Sequence, residues 1–196
     1  MSPQSLEIWK KLHWSFFSMI QALNIALQRF EQAMINENLA LAQAELESAA
    51  TLMLASGAAM ELAASFNPAD YDQHIRPTMI PPYVESHDFS GLMLWDHFFL
   101  VAIWMRLKPI FENLPPELQS SHERFVLAYR SLAHAHKGVC SKFGGGETGS
   151  IRSNSVGISA QKTAVETLEQ FEKNRERLLD PQHRVMSGYR FDHQSA

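Results

Sequence analysis

The sequence predicts an all-α protein, arranged as a bundle of about five helices, and two observations support this class. Apolar residues recur at spacings of three and four over long stretches, and no segment alternates apolar and polar residues as a strand does. The chain has 196 residues, 45% of them apolar, a size that suits one globular domain. We expect a single helical domain over 1–180 and a polar, loosely held C-terminal tail over 181–196.

The first two helices are predicted to pair as an antiparallel hairpin. One apolar stripe runs from Leu6 to Met34 in steps of three and four. A second runs from Leu39 to Ala63 and contains many small residues, which allow a neighbouring helix to approach closely. The turn between the two helices is expected near 36–38.

Three further helices are predicted, separated by a proline-rich and a glycine-rich loop. Four prolines between 67 and 88 indicate a long ordered loop or lid. The third helix is expected over 89–112, the fourth from Pro116 onward, and the fifth over about 159–179. The glycine-rich loop, FGGGETGSIRSNSVG, precedes the fifth helix.

Charge and composition exclude several classes of partner. With 17 basic and 21 acidic residues the net charge is −4, and no run of like charges offers a nucleic-acid footprint. The most apolar run, LMLWDHFFLVAIWM, is shorter than the roughly 20 residues that cross a bilayer, so we expect no membrane contact. A single cysteine and an N-terminus without the order of a secretory signal predict a cytoplasmic protein.

The spacing of His136 and Cys140 is compatible with a haem site. Four positions on a helix place both side chains on one face, about 5–6 Å apart. If the imidazole ligates a haem iron, the thiol lies near a vinyl group at the porphyrin edge, where a thioether can form. The alternative is a core histidine and an inert buried thiol.

His97 lies in the middle of the apolar third helix. An unpaired imidazole there costs free energy and needs a partner or a purpose. Two histidines on two apolar helices would sandwich a flat macrocycle, whereas the alternative is a helix core with two satisfied histidines. The large aromatic side chains near His97 are predicted to pack in the core, the alternative being that one of them lines an aromatic substrate pocket: Trp95, Phe98, Phe99 and Trp104.

The glycine-rich loop is a candidate ligand-binding segment. Its glycines, including Gly149, leave main-chain N–H groups accessible, while Ser150 supplies a hydroxyl and Arg152 a bidentate cation for a carboxylate. The GxxxxGK[ST] pattern of a phosphate loop is missing. The alternative is a flexible connector.

Other metal sites are not indicated by the sequence. A zinc site built on His134 and His136 would need further ligands at recognisable spacing. The repeated Glu-x-x-His pairs of a di-iron bundle are missing. His13, on the inner stripe of the first helix, is a rival to His97 as a second histidine, although the pattern favours a packed core histidine there.

The motif His97, thirty-eight residues, then His136-Lys-Gly-Val-Cys140 resembles a known haem-binding pattern. It is similar to the HxnHxxxC motif of the 3-methyl-L-tyrosine hydroxylase type of haem-dependent aromatic oxygenases, which are relatives of tryptophan 2,3-dioxygenase. The segment GGGETGSIRS is similar to the TGTGGS-like substrate loop of the dioxygenases, and LEIWKK to their ELWFK helix. Nothing matches their HQA segment.

The resemblance implies a role for each of these residues and a dioxygenase-like helical fold. His136 would be the axial iron ligand, Cys140 the single thioether link to haem, and His97 either a distal acid–base residue or a second axial ligand. The loop residues Gly149, Ser150 and Arg152 would bind the substrate.

Three hypotheses for the function therefore stand. The first is a haem-dependent oxygenase or hydroxylase that acts on a tyrosine- or tryptophan-derived substrate with peroxide or dioxygen, in a homo-oligomer as its relatives are. The second is a bis-histidine haem carrier or sensor without catalysis. The third is a helical interaction module without a cofactor.

Overall fold

The computed structural model describes residues 3–84, 94–144 and 163–185, and within these ranges it contains helices and no strand. The class and the approximate number of helices are as predicted. Five long helices make up the bundle: α1 (Gln4–Ile35), α2 (Leu39–Ala63), α3 (Trp95–Glu112), α4 (Gln119–Lys142) and α5 (Ala164–Leu179).

α1 and α2 form the predicted antiparallel hairpin. Glu37 turns the chain with a positive φ of 56°, and the Asn38 side chain caps α2 by accepting a hydrogen bond from the Leu41 N–H at 3.1 Å. The predicted stripes face inward, since Leu23, Leu27 and Phe30 are fully buried. The hairpin is thus the largest single contribution to the core.

α2 is the central helix, because it packs between α1 and α4. It runs parallel to α4: Ser121 donates to Glu47 near one end, and Lys142 donates to the Ala64 carbonyl at the other. A Cβ added at Gly57 would lie 3.4 Å from the Leu132 Cα, so the small residues of α2 do permit close approach.

No single helix in the described ranges is long and apolar enough to cross a membrane. Only a bent pair, α2 with the segment Pro68–Met79, meets that test by length and composition, and the two parts are bent by 87°.

α3 lies beside α1 and is tied to it at two points. The Asn24 side chain donates to the Asp96 carbonyl at 3.1 Å, and Arg106 forms a two-pronged pair with Glu31. α5 packs on both α3 and α4. It therefore covers the groove between the two helices that carry His97 and His136.

The proline-rich segment is more regular than its prolines indicated. Residues 68–79 form three successive short helical turns rather than an irregular loop. The Asn67 side chain accepts from the Asp70 N–H at 2.8 Å, and Pro68 occupies the first helical position, where its missing N–H costs nothing. Residues 85–88 of that predicted loop lie outside the described residues.

Two boundaries in the C-terminal part differ from expectation. α5 begins at Ala164 and not near 159, because Thr163 and Glu166 form a capping box. The first residues of the predicted tail are held: Val185 is buried, its N–H donates to Asp180, and Arg130 donates to its carbonyl. The remaining tail, 186–196, lies outside the described residues.

Candidate functional site

α3 and α4 pack antiparallel in a heptad register set by their aromatic side chains. Phe111 meets the His122 ring with centroids 4.7 Å apart. Seven residues earlier on α3 and seven later on α4, Trp104 meets Tyr129 edge to face at 5.6 Å. A further step of seven in the same register reaches His97 and His136. The helix register thus brings the two predicted histidines to one level of the groove.

Burial and nearby positive charges act on both histidine rings, and His136 is one of the charges that act on His97. Burial, followed by the charges of Arg175 and His136, lowers the pKa of His97 to about 3. Burial, followed by the charges of Arg175 and His13, lowers the pKa of His136 to about 4. Both imidazoles are therefore neutral at pH 7 in the described structure, the state in which a ring nitrogen can ligate a metal.

His97 is not satisfied by the rest of the described chain. The buried Nε2 atom of His97 has no hydrogen-bond partner there. The Phe111–His122 and Trp104–Tyr129 pairs make ring contacts, whereas no ring contact or hydrogen bond between described residues joins His97 to His136. A buried nitrogen without a partner costs free energy, and this cost favours a ligand over the satisfied-core alternative.

Cys140 follows His136 by one turn of α4 and is half-buried. Burial raises the pKa of its thiol to about 11, so the group is a protonated thiol and not a thiolate at neutral pH. Its nearness to Tyr71 contributes to raising the pKa of that phenol. The Cys140 end of the groove therefore faces the helical turns that follow α2.

An aromatic wall borders this end of the groove, and its members come from four separate parts of the chain. Tyr71 stacks on Phe143 at 4.2 Å, and Trp9 lies edge-on to Tyr71 at 5.7 Å. We call the set the aromatic wall; it consists of Trp9, His13, Phe66, Tyr71 and Phe143. Sequence reasoning missed Tyr71, which lies in the segment interpreted as a loop.

His13 lies near His136, since its charge contributes to the lowered pKa of that residue. Its Nδ1 is 2.8 Å from the Trp9 carbonyl oxygen, which only accepts, so Nδ1 carries the proton. In the neutral ring Nε2 is then the proton acceptor. His13 is thus anchored by a backbone bond and its ring packs 4.0 Å from Trp9.

Arg175 of α5 is a second residue that the sequence analysis missed. It is half-buried, and Cζ lies 5.4 Å from the Phe171 ring centroid. A side-chain hydrogen bond joins it to the buried Tyr129. The sequence does carry a signal: Leu168, Phe171 and Leu178 follow helical spacing, and Arg175 interrupts that stripe with a charge.

Several predicted residues are not in this site. The loop residues Gly149, Ser150 and Arg152 lie outside the described ranges. Trp104 packs as expected, but the prediction is wrong for the other three aromatic residues of α3. They lie on its outer face: Trp95 is 88% exposed, Phe98 59% and Phe99 47%.

The donor set fits a haem iron better than a metal held by side chains alone. In the described ranges no group of three or more His, Cys, Asp or Glu side chains could hold a metal ion. Haem needs only one or two protein ligands, because the porphyrin supplies the others. Two neutral histidines at one level, one of them with an orphaned Nε2, meet that requirement.

Comparison with known proteins gives two matches. A family model described as SfmD 3-methyl-L-tyrosine peroxygenase matches residues 1–121. A 3-methyl-L-tyrosine peroxygenase of Streptomyces lavendulae is 27% identical over 187 residues, which cover 94% of this chain and 49% of that protein. This chain therefore spans about half the length of the curated relative that it matches.

No solved structure matches the chain, so the predicted likeness to the tryptophan 2,3-dioxygenase fold stays a prediction. The family model matches well over half of the 196 residues and includes the helix of His97. The chain belongs to the SfmD 3-methyl-L-tyrosine peroxygenase family.

Proposed function

We propose that this chain binds haem between α3 and α4 and takes part in the oxygenation of an aromatic amino acid. The substrate class is tyrosine- or tryptophan-derived, and the oxidant is peroxide or dioxygen. The single observation that carries the proposal is the pairing of His97 with His136 at one level, with Cys140 one turn further along α4. Family membership supports the activity and the aromatic substrate.

His136 and Cys140 are the residues that would hold the haem. His136 would ligate the iron through its neutral imidazole. Cys140 would attach the porphyrin by adding its S–H across a vinyl group: the Sγ–C bond forms at one vinyl carbon, and the hydrogen goes to the other. The thiol is protonated at neutral pH, so it carries the hydrogen that this addition requires.

When bound, haem supplies an iron that activates peroxide or dioxygen for transfer of oxygen to the substrate. His97 lies on the opposite helix and is uncharged at neutral pH, with a proton on only one of its two ring nitrogens. Its unprotonated ring nitrogen would receive a proton from a phenol or an incoming peroxide, or would ligate the iron as a second histidine. α5 and the aromatic wall would exclude water from the two histidines.

The substrate would lie against the layer formed by His97 and His136, with its aromatic ring toward apolar side chains. The glycine-rich loop, through Gly149, Ser150 and Arg152, remains the proposed binding segment for the amino acid. Such a division, with an apolar surface for the ring and a few polar groups for the charged end, is the usual construction of a small-molecule site.

Absorption spectra of the haem-loaded chain test the function. We expect a Soret band whose position or spin-state bands change on addition of L-tyrosine analogues, and a product heavier by one oxygen atom when peroxide is added. L-leucine serves as the control ligand and should leave the spectrum unchanged. A six-coordinate low-spin spectrum that ignores every aromatic amino acid, with no product, would instead indicate a carrier or sensor. A colourless protein, made with ample haem supply, would contradict both.

A further inference from the structure

Arg175 lies between the level of the Trp104–Tyr129 contact and that of the two histidines, as the ion pairs between α4 and α5 show. Arg130 pairs with Glu176 and Lys137 with Glu172, each at 2.6 Å, and these pairs set an antiparallel register. Arg175 stands between the two acidic residues along α5. Its level along α4 therefore falls between its hydrogen-bond partner Tyr129 and His136.

Arg175 has no acidic partner within the described ranges. Both nearby acids of α5 are taken up by cations of α4, as the two ion pairs show. The contacts of Arg175 are the Tyr129 hydroxyl and the face of Phe171, and neither neutralises a guanidinium. A half-buried cation without a counter-charge loses hydration and gains little in return, so this position is costly for the fold.

The two histidines next to Arg175 are not acted on by a carboxylate. The charged groups that act on His97 and His136 are Arg175 itself and further histidines, and no carboxylate is among them. Trp104 of α3 contacts Tyr129 of α4, and its buried Nε1–H has no acceptor in the described chain. The groove thus presents hydrogen-bond donors and a fixed positive charge, a combination that attracts an anion.

We propose that Arg175 binds a carboxylate of the molecule held between α3 and α4. The inference deepens the proposed function and rests on it for the identity of that molecule. Two molecules would bring a carboxylate to this place: haem, through a propionate, and the amino-acid substrate, through its main-chain carboxylate. Both use the same chemistry, a planar anion paired with a planar guanidinium.

Three forms of the chain test the proposal. Arg175→Gln removes the charge, and Arg175→Lys keeps it without the planar fork. Arg177→Gln is the matched control, since this arginine is exposed and lies two residues further along the same helix. Circular dichroism establishes that each variant is folded before binding is measured.

The first arm compares haem with its dimethyl ester in titrations of haem-free chain. If a propionate is the partner, the wild type prefers haem by at least about tenfold, Arg175→Gln loses that preference, and Arg175→Lys keeps part of it. The second arm compares L-tyrosine with tyramine, which lacks the carboxylate, on haem-loaded chain. A preference for tyrosine that is lost only in Arg175→Gln assigns the residue to the substrate. Unchanged preferences in both arms overturn the proposal.

A third arm needs no haem and separates this inference from the proposed function. The Tm shift of the haem-free chain is measured with 4-hydroxyphenylacetate and with its methyl ester. We expect the acid to stabilise the wild type more than the ester does, and this difference to vanish in Arg175→Gln. If the wild type binds no haem, the proposed function fails, and this arm alone decides: equal shifts in wild type and Arg175→Gln overturn the role of Arg175.

The thermal stability of the ligand-free chain provides a further test of the role of Arg175. Removing a half-buried charge that has no acidic partner among the described residues should raise the Tm of haem-free Arg175→Gln by about 2–4 °C while weakening ligand binding. A purely structural arginine would give the opposite, a lower Tm with unchanged binding, and that result would contradict the proposal.

Discussion

His97 and His136 lie one heptad beyond the edge-to-face contact of Trp104 with Tyr129, at the same level of the α3–α4 groove. Because Trp104 is 2% exposed and Tyr129 4%, core packing holds the register of the two helices. The candidate site is therefore positioned by the hydrophobic core and not by a surface loop. Core packing between α3 and α4 therefore also determines where the two histidines lie.

The two histidines should differ in what their removal abolishes. His136→Ala is expected to eliminate the Soret band or shift it strongly, because the ring proposed to ligate the iron is lost. His97→Ala should retain haem and lose at least about 100-fold in turnover, as expected for a proton-transferring group. Absorption spectra and a product assay with peroxide measure both effects.

The control for this pair is His134→Ala, since His134 is exposed and lies on α4 only two residues before His136. It should behave as the wild type in both measurements. Normal haem binding by His136→Ala would contradict the assigned ligand. Complete haem loss in His97→Ala would show that His97 is required to hold the group.

Cys140→Ala should leave haem bound but make it extractable by acidified organic solvent. The axial bond to His136 survives the substitution, whereas the proposed thioether does not. The measurement is the haem content of the organic phase, with wild-type protein treated in parallel. If wild-type haem moves into the organic phase as readily, the covalent attachment is wrong, although ligation by His136 is not affected.

The stability of the haem-free chain should fall as the pH is lowered from about 6.5. The native pKa values of about 3 for His97 and about 4 for His136 lie below the 6.5 of an unfolded histidine. Below pH 6.5 the unfolded chain binds more protons, so the free energy of unfolding decreases by at most about 1.4 kcal/mol per pH unit for each histidine. His13 and His122, whose pKa values burial also lowers, add to the slope.

Urea unfolding at pH 7.5, 6.0 and 5.0 measures this dependence. The double variant His97→Leu, His136→Leu should show a clearly flatter profile between pH 6.5 and 4, because two groups that must be protonated on unfolding are gone. His134→Ala is again the control and should follow the wild type. Parallel profiles for wild type and double variant would mean that the two rings are hydrated and not buried.

Two glycines in the described ranges should respond in opposite directions to a larger side chain. A Cβ at Gly138, on the exposed side of α4, meets nothing within 4 Å, so Gly138→Ala should stabilise the chain by about 0.5–1 kcal/mol. At Gly57 the added Cβ already lies 3.4 Å from the Leu132 Cα. Gly57→Val should therefore cost about 1–3 kcal/mol by separating α2 from α4. Urea midpoints at constant m-value measure both, and stabilisation by Gly57→Val would contradict the close packing of α2 on α4.

Helical spacing was a reliable guide to the elements of this chain. The stripes of α1 and α2 are the faces that the structure buries, and the turn lies between Ile35 and Leu39 as expected. The pattern was less informative where a local hydrogen bond decides the outcome. The Asn67 cap and the Thr163 capping box both define helix starts that apolar periodicity alone did not reveal.

The candidate site was partly predictable for a similar reason. His97 and His136 stood out because a polar ring on an apolar helix is costly and therefore conspicuous. Arg175 was not predicted, because α5 contains many charged residues. One more arginine is distinctive only once its position on the apolar stripe of Phe171 and Leu178 is recognised. Tyr71 could not be assigned, since its place beside Cys140 depends on how the short turns after α2 fold back.

The intact mass of the denatured protein, made in cells with ample haem, tests the central claim most directly. We predict one species whose mass is that of the chain plus one haem, and the mass of the chain alone for Cys140→Ala prepared in the same way. A wild-type sample that shows only the mass of the chain, and that lacks a Soret band before denaturation, would contradict haem binding between His97 and His136.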